Sequence, residues 1–266
     1  MSRLLVRGAA SADGDGRLVA VTPETAGWRY VGFEVVRLRA GEVVRRTLPD
    51  RELCAVLLGG RCEVRAGGER WSGVGSRASP FEGPPAAFYA PPACAVELRA
   101  VTDTDVAIGS APARRGSPAR ALAPEEARLE VRGSGDMERR IHHILMEDRE
   151  AEALLITEVV TPAGHWSSYP PHKHDTDDPP HESYLEETYY YRLRDPRGFA
   201  LQRVYTADRS LDETIAVRDG DLVLVPRGYH TVSAAPGYEA YYLNVMAGPL
   251  REWRVRFDPD HEWLRR

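Results

Sequence analysis

Apolar positions along this 266-residue chain fall mostly in runs too short for helices. "YVGFEVVRLRAGEVV", "LCAVLLGGRCEVRAG", "ALLITEVV", "ETYYYRL", "FALQRVYT", "DLVLVPRG" and "YEAYYLNVM" are rich in Val, Leu, Tyr and Phe and are punctuated by Gly, Pro and Asp. That pattern predicts strands, in the rhythm of an all-β sandwich or barrel. Only "PEEARLE" and "SGDMERRIHHIL" carry a weak helical period. The 20 prolines and 23 glycines suit a turn-rich β protein better than a helical bundle.

One stretch breaks the rhythm. "SAPARRGSPARALAPEEARLEVRGSGD" is rich in Ala, Pro, Gly and Arg and lacks a sustained apolar period, so it reads as a linker. It predicts two domains, residues 1–133 and 134–266, each of ordinary size. The halves echo each other. "GPPAAFYAPPACAVEL" in the first resembles "GDLVLVPRGYH" in the second, and aligning Pro91 with Pro226 sets Ala95 opposite His230. Glu52 likewise opens a strand pattern, but no HxH precedes it. Two related barrels are expected, with ionisable groups at these positions only in the second.

The second half concentrates the chemistry. On a strand, alternate residues face the same way, so His172 and His174 of "PPHKHD" present two imidazoles to one side and Lys173 points to the other. Glu187, Tyr189 and Tyr191 share a face by the same rule. If that face is a barrel interior, Glu187 supplies a carboxylate and His230, after the "PRGY" turn, a third imidazole. Two or three imidazoles aimed at one point are what a first-row metal ion requires. An isolated HxH in an acidic loop ordinarily binds nothing. Here the stiff Pro170–Pro171 approach, the strand opened by Glu187 and the histidine at a second strand end argue for a site. The acids Asp175, Asp177, Asp178, Glu182 and Glu186 read as a solvated loop able to close over a ligand.

Charge and cysteine content narrow the partners. A net charge of −5 and a pI near 5.9 argue against nucleic acid and favour a small molecule. Cys54, Cys62 and Cys94 are odd in number and fit no metal spacing, as in a reducing cytoplasm. No apolar run is long enough for a signal peptide or a membrane span. No GxGxxG follows a strand, so no nucleotide cofactor is expected.

The combined motifs resemble the cupin superfamily. Its first motif is HxH followed by Glu, and its second is G(x)5PxG(x)2H. Gly220, Pro226 and Gly228 match the second, with His230 one residue early and no asparagine beyond it. In the first, "DTDDPPHESYLE" separates His174 from Glu187 where three or four residues are usual. That insertion, with "WSSYPPHKHD", the "LEE" before three tyrosines and Arg, and "YYLNVMAGP", is similar to the 5-deoxy-glucuronate isomerase family of bacterial inositol catabolism. His165 departs from the asparagine common there.

The resemblance implies two cupin, jelly-roll-like barrels in one chain, the first degenerate and without ligands. It implies one divalent ion (Zn, Mn, Fe, Co or Ni) on His172, His174, Glu187 and His230, and conversion of an aldose acid to a ketose without net redox change. Tyr189, Tyr191 and Tyr242 are candidates for moving the proton, and Lys173, Arg192, Arg203 and Arg227 for holding the sugar-acid carboxylate. A homo-oligomer is compatible with this reading. An Fe(II) dioxygenase and a non-catalytic sugar-binding bicupin remain alternatives on the ligands alone.

Overall fold

A computed structural model describes residues 2–265, and among these it contains twenty-two strands and one four-residue α-helix, Pro23–Ala26. The protein is therefore all-β, as its periodicity requires. The short helix was not legible as a period; it is one turn, capped by the Thr22 side chain on the Thr25 N–H and stopped by Gly27 in the left-handed region. "RRIHHIL" is not helical. Arg139–Leu145 is a strand in which buried Arg139, Ile141 and His143 alternate with the less buried Arg140 and His142 before the fully buried end, because its period of two outweighs the weak helical one. "PEEARLE" resolves into a single 3-10 turn, Pro124–Glu126, and the strand Arg128–Arg132.

The chain forms two compact units with interleaved bounds. One comprises residues 1–8, 130–141 and 158–266, the other 9–129 and 142–157. The boundary expected between 133 and 134 falls inside the 130–141 segment.

In the unit made largely of the C-terminal half, strands Leu5–Val6, Leu222–Val225, Glu186–Leu193 and Ala240–Ala247 lie side by side in that order. A second antiparallel sheet runs Asp212–Val217, Ala200–Tyr205, Tyr229–Ala234, Trp166–Lys173 and Arg256–Phe257. Tyr189, Tyr191, Val223, Val225 and Tyr242 from the first sheet pack with Ala200, Val204, Ile215, Val217 and Val232 from the second. This core lies between the two sheets, as in a barrel.

The other unit repeats the plan. A six-stranded sheet runs from Arg120–Leu122 through Ala87–Ala90, Arg51–Gly59, Thr104–Pro112 and Gly32–Leu38 to Arg17–Val21. A four-stranded sheet of Val43–Arg46, Val96–Ala100, Cys62–Ala66 and Glu69–Val74 joins it around a shared apolar core. Burial pushes the Cys54 thiol up to about 12 and Cys62 to about 11, so both stay protonated. No helix among the described residues is long and apolar enough to cross a membrane.

Candidate metal centre

Three elements deliver the histidines and the glutamate. His172 lies in the Trp166–Lys173 strand with its Cα directly opposite that of His230 in Tyr229–Ala234. His174 follows one residue past the strand end, and Glu187 is the second residue of Glu186–Leu193. Gly228 sets the approach to His230: its φ is +93°, and a Cβ there would meet the Tyr205 carbonyl oxygen at 2.6 Å, so only glycine fits the turn. Its N–H donates to Asp175 Oδ2 at 2.7 Å.

The imidazoles are oriented alike. Each Nδ1–H points at a main-chain carbonyl: His172 at Pro170 (3.4 Å), His174 at Leu185 (3.0 Å) and His230 at Gly228 (3.1 Å). This places Nε2 of every ring on the side away from the backbone, the arrangement in which histidine serves as a ligand. His174 Nε2 is 3.0 Å and His230 Nε2 3.3 Å from the same Glu187 oxygen, Oε2. His174, Glu187 and His230 thus bring ligand atoms within 4.8 Å of one another, the one such group found among the described residues. His172 stands beside this trio rather than in it, its ring centroid 4.7 Å from that of His230 and 6.4 Å from that of His174.

The electrostatics favour a cation here. Burial would raise the Glu187 carboxyl, but hydrogen bonds and charge from His174 and His230 outweigh it and hold it at about 2. Burial would lower His174, yet Glu187 and the Leu185 carbonyl draw it above the ordinary histidine value. His172 moves the other way, pushed well down by burial and by the two neighbouring histidines. His230 Nε2 is buried, and the 3.3 Å approach to Glu187 Oε2 is too poorly aligned to satisfy it fully. One carboxylate and imidazoles whose Nε2 atoms are turned away from the backbone are a donor set that fits a divalent first-row ion.

The tyrosines separate into two roles. Tyr189, Tyr191 and Tyr242 all face the barrel interior. Tyr191 gives its hydroxyl to Gln202 at 2.8 Å. Tyr189 and Tyr242 instead meet at Ser168, whose Oγ is 3.1 Å from one hydroxyl and 3.2 Å from the other. Tyr189 also sets its ring edge-on to His230, with centroids 5.8 Å apart. Ser168 has φ +48°, a left-handed conformation costing a non-glycine residue about 1–2 kcal/mol. The sequence gives no sign of that turn, and Ser168 was not a candidate. Burial raises all three phenols above their ordinary value, so they are neutral.

The remaining candidates lie apart. Lys173 binds Asp175, Thr176 Oγ1 and both oxygens of Glu182, so its ammonium is engaged within the loop. Arg192 pairs with Asp219, and Arg203 pairs with Asp212 and stacks over Tyr205. Arg227 is exposed. None of the four lines the cavity of about 480 Å³ that opens beside His172. The acidic insertion is not uniformly solvated either. Glu182 and Glu186 are fully buried, and Glu182 holds Lys173 together with the Asp175 and Thr176 N–H groups, because a hairpin of polar residues needs an internal acceptor. Asp177 and Asp178 are exposed, with Asp178 paired to Arg256.

The chain is similar to known proteins along nearly its whole length. The 5-deoxy-glucuronate isomerase of Geobacillus thermodenitrificans is 53% identical over 265 residues, spanning 99% of this chain and 96% of that protein. The solved structure of an IolB-like protein from Salmonella typhimurium superposes with a TM-score of 0.95 at 45% identity, covering 98% of both chains. A Mn(II)-containing oxalate decarboxylase of Bacillus subtilis superposes with a TM-score of 0.65 at 13% identity, over 97% of this chain and 80% of that one. This last likeness concerns the fold alone and marks it as two cupin barrels in one chain. The profile of the KduI/IolB family matches residues 4–264. With fold and sequence similarity in agreement along nearly its whole length, the chain belongs to the KduI/IolB family.

Proposed function

We propose that this protein is a metal-dependent aldose–ketose isomerase that converts 5-deoxy-D-glucuronate to 5-dehydro-2-deoxy-D-gluconate in inositol catabolism, within a reducing cytoplasm. The observation that carries the reading is the convergence of His174, Glu187 and His230, with His172 beside them, in a chain similar from end to end to 5-deoxy-glucuronate isomerases. His172, His174, Glu187 and His230 would hold one divalent ion from the series Mn to Zn. Bound there, the ion supplies Lewis-acid polarisation of the aldehyde oxygen and the adjacent hydroxyl.

In the reaction a proton leaves C2 and one is delivered to C1, while the C2 hydroxyl loses its proton and the C1 oxygen gains one. No electron leaves the substrate. The neutral phenols of Tyr189 and Tyr242, joined through Ser168, form a short chain of exchangeable protons beside the donor set. They donate to and accept from substrate oxygens and are poorly suited to act as resting bases, since burial opposes the phenolate. Tyr242→Phe is expected to lower kcat about 10²-fold with metal content unchanged. Tyr191→Phe, which removes only the bond to Gln202, is expected to cost about 1 kcal/mol of stability and little turnover. Steady-state rates and thermal melts of the two variants separate these outcomes.

The reading itself is tested by NMR of 5-deoxy-D-glucuronate in deuterated buffer. The expected product carries solvent deuterium on the new hydroxymethyl carbon. Oxygen consumption in place of isomerisation would instead make the protein a dioxygenase. Binding without turnover would make it a sugar-binding bicupin.

A further inference from the structure

The cavity that His172 lines also carries three arginines. Arg132, Arg139 and Arg265 line it together with Tyr169, Trp253 and Phe257. Two of these guanidiniums are committed: Arg132 pairs with Glu130 and lies over the Trp253 ring, and Arg265 pairs with Glu262 and lies over Phe257. Arg139 differs. Only 7% exposed, it donates to the Met137 and Tyr169 carbonyls at 3.0 and 3.1 Å, and no carboxylate among the described residues hydrogen-bonds it. Glu130 is near enough to act on it through charge, but its oxygens are taken by Arg132. Burial accordingly lowers the Arg139 pKa from the usual guanidinium value. A buried guanidinium held only by main-chain carbonyls is incompletely compensated, and a ligand carboxylate would offset much of the cost of burying it.

Its position suits a ligand with two ends. Tyr242 lies within range of the Arg139 charge and, through Ser168 and Tyr189, leads to the ring of His230. We infer that Arg139 binds the terminal carboxylate of the sugar acid and so fixes the aldehyde end toward the histidine–glutamate cluster. Gly133 makes the seat: its φ is +84°, and a Cβ there would lie 2.8 Å from Arg139 Nη1. The inference rests on the isomerase reading and adds to it the residue that selects an acid over a neutral aldose.

The experiment compares 5-deoxy-D-glucuronate with 5-deoxy-D-xylo-hexose, the same carbon chain with a hydroxymethyl group in place of the carboxylate, in wild type, Arg139→Met and Arg139→Lys. Wild type is expected to favour the acid strongly. Arg139→Met is expected to raise KM for the acid roughly 10²-fold, to change kcat less, and to leave the neutral aldose nearly unaffected, so that the preference collapses. Arg139→Lys, which keeps a charge and a donor in the same seat, is expected to fall between the two and covers the case in which the methionine variant does not fold. Elemental analysis of each variant reports whether the metal site is intact. An undiminished preference for the acid in a folded, metal-loaded variant overturns the role of Arg139. Failure of wild type to isomerise the acid at all overturns the isomerase reading instead.

Discussion

Replacing His174 with alanine is expected to cut metal affinity at least about 100-fold and turnover about 10³-fold or more, while the strands remain assembled. His174 is the nearest partner of Glu187, and with the Leu185 carbonyl behind it the ring has a fixed orientation. Without it, Glu187 keeps only the longer approach of His230, and the carboxyl is released upward from about 2 because burial then meets less opposition. A weaker donor set and a more easily protonated carboxylate both reduce the attraction for a cation. Elemental analysis, circular dichroism and the isomerisation rate together check this. A folded His174→Ala protein with full metal and full turnover would remove the centre from the chemistry.

Glu52→Ala is expected to act on stability instead, lowering it by roughly 3–5 kcal/mol. The Glu52 carboxyl is fully buried and receives four donors: the Tyr89 hydroxyl at 2.5 Å and the N–H groups of Glu152, Ala153 and Leu154 at 2.9, 2.7 and 2.7 Å. Alanine strands all of them. Glu52→Gln should lose less, since one oxygen survives, but it turns an amide toward groups that already donate. Denaturant melts measure the loss, and turnover per folded molecule should be unchanged. Equal stability of Glu52→Ala and wild type would show that water replaces the carboxyl at no cost. Glu52 and Glu187 are each the second residue of their strands. We read the N-terminal unit as a barrel in which this glutamate serves the backbone; Ala95, which the sequence alignment sets opposite His230, lies exposed just before the strand Val96–Ala100, whereas His230 is buried as the second residue of its strand.

Much of this was legible in the sequence because it is local. Alternation in "ETYYYRL" fixes Glu187, Tyr189 and Tyr191 on one face, and the glycine of "PRGYH" marks the turn that presents His230. What escaped depends on distant partners. Arg139 and Arg140 are adjacent and chemically alike, yet Arg139 is buried in the cavity wall while Arg140 is exposed and pairs with Glu239. Parity decides between them only once "RRIHHIL" is known to be a strand. Glu182 looks solvated within a run of acids, and its burial becomes intelligible only when Lys173 and Arg256 are seen to converge on it. Ser168 was hidden for another reason, since nothing in its neighbours announces a left-handed serine.

The pairing of Leu5 with Val223 and of Val6 with Leu222 has a temporal corollary. During synthesis the opening residues leave the ribosome long before the segment that will receive them, and loop closure over more than 200 positions is slow. The unit that carries the candidate metal centre can reach its native form only when translation is nearly finished. Fragments that begin after the first few residues, or amino-terminal fusions that obstruct them, would therefore leave the edge at Leu222–Val225 open to pairing with other chains.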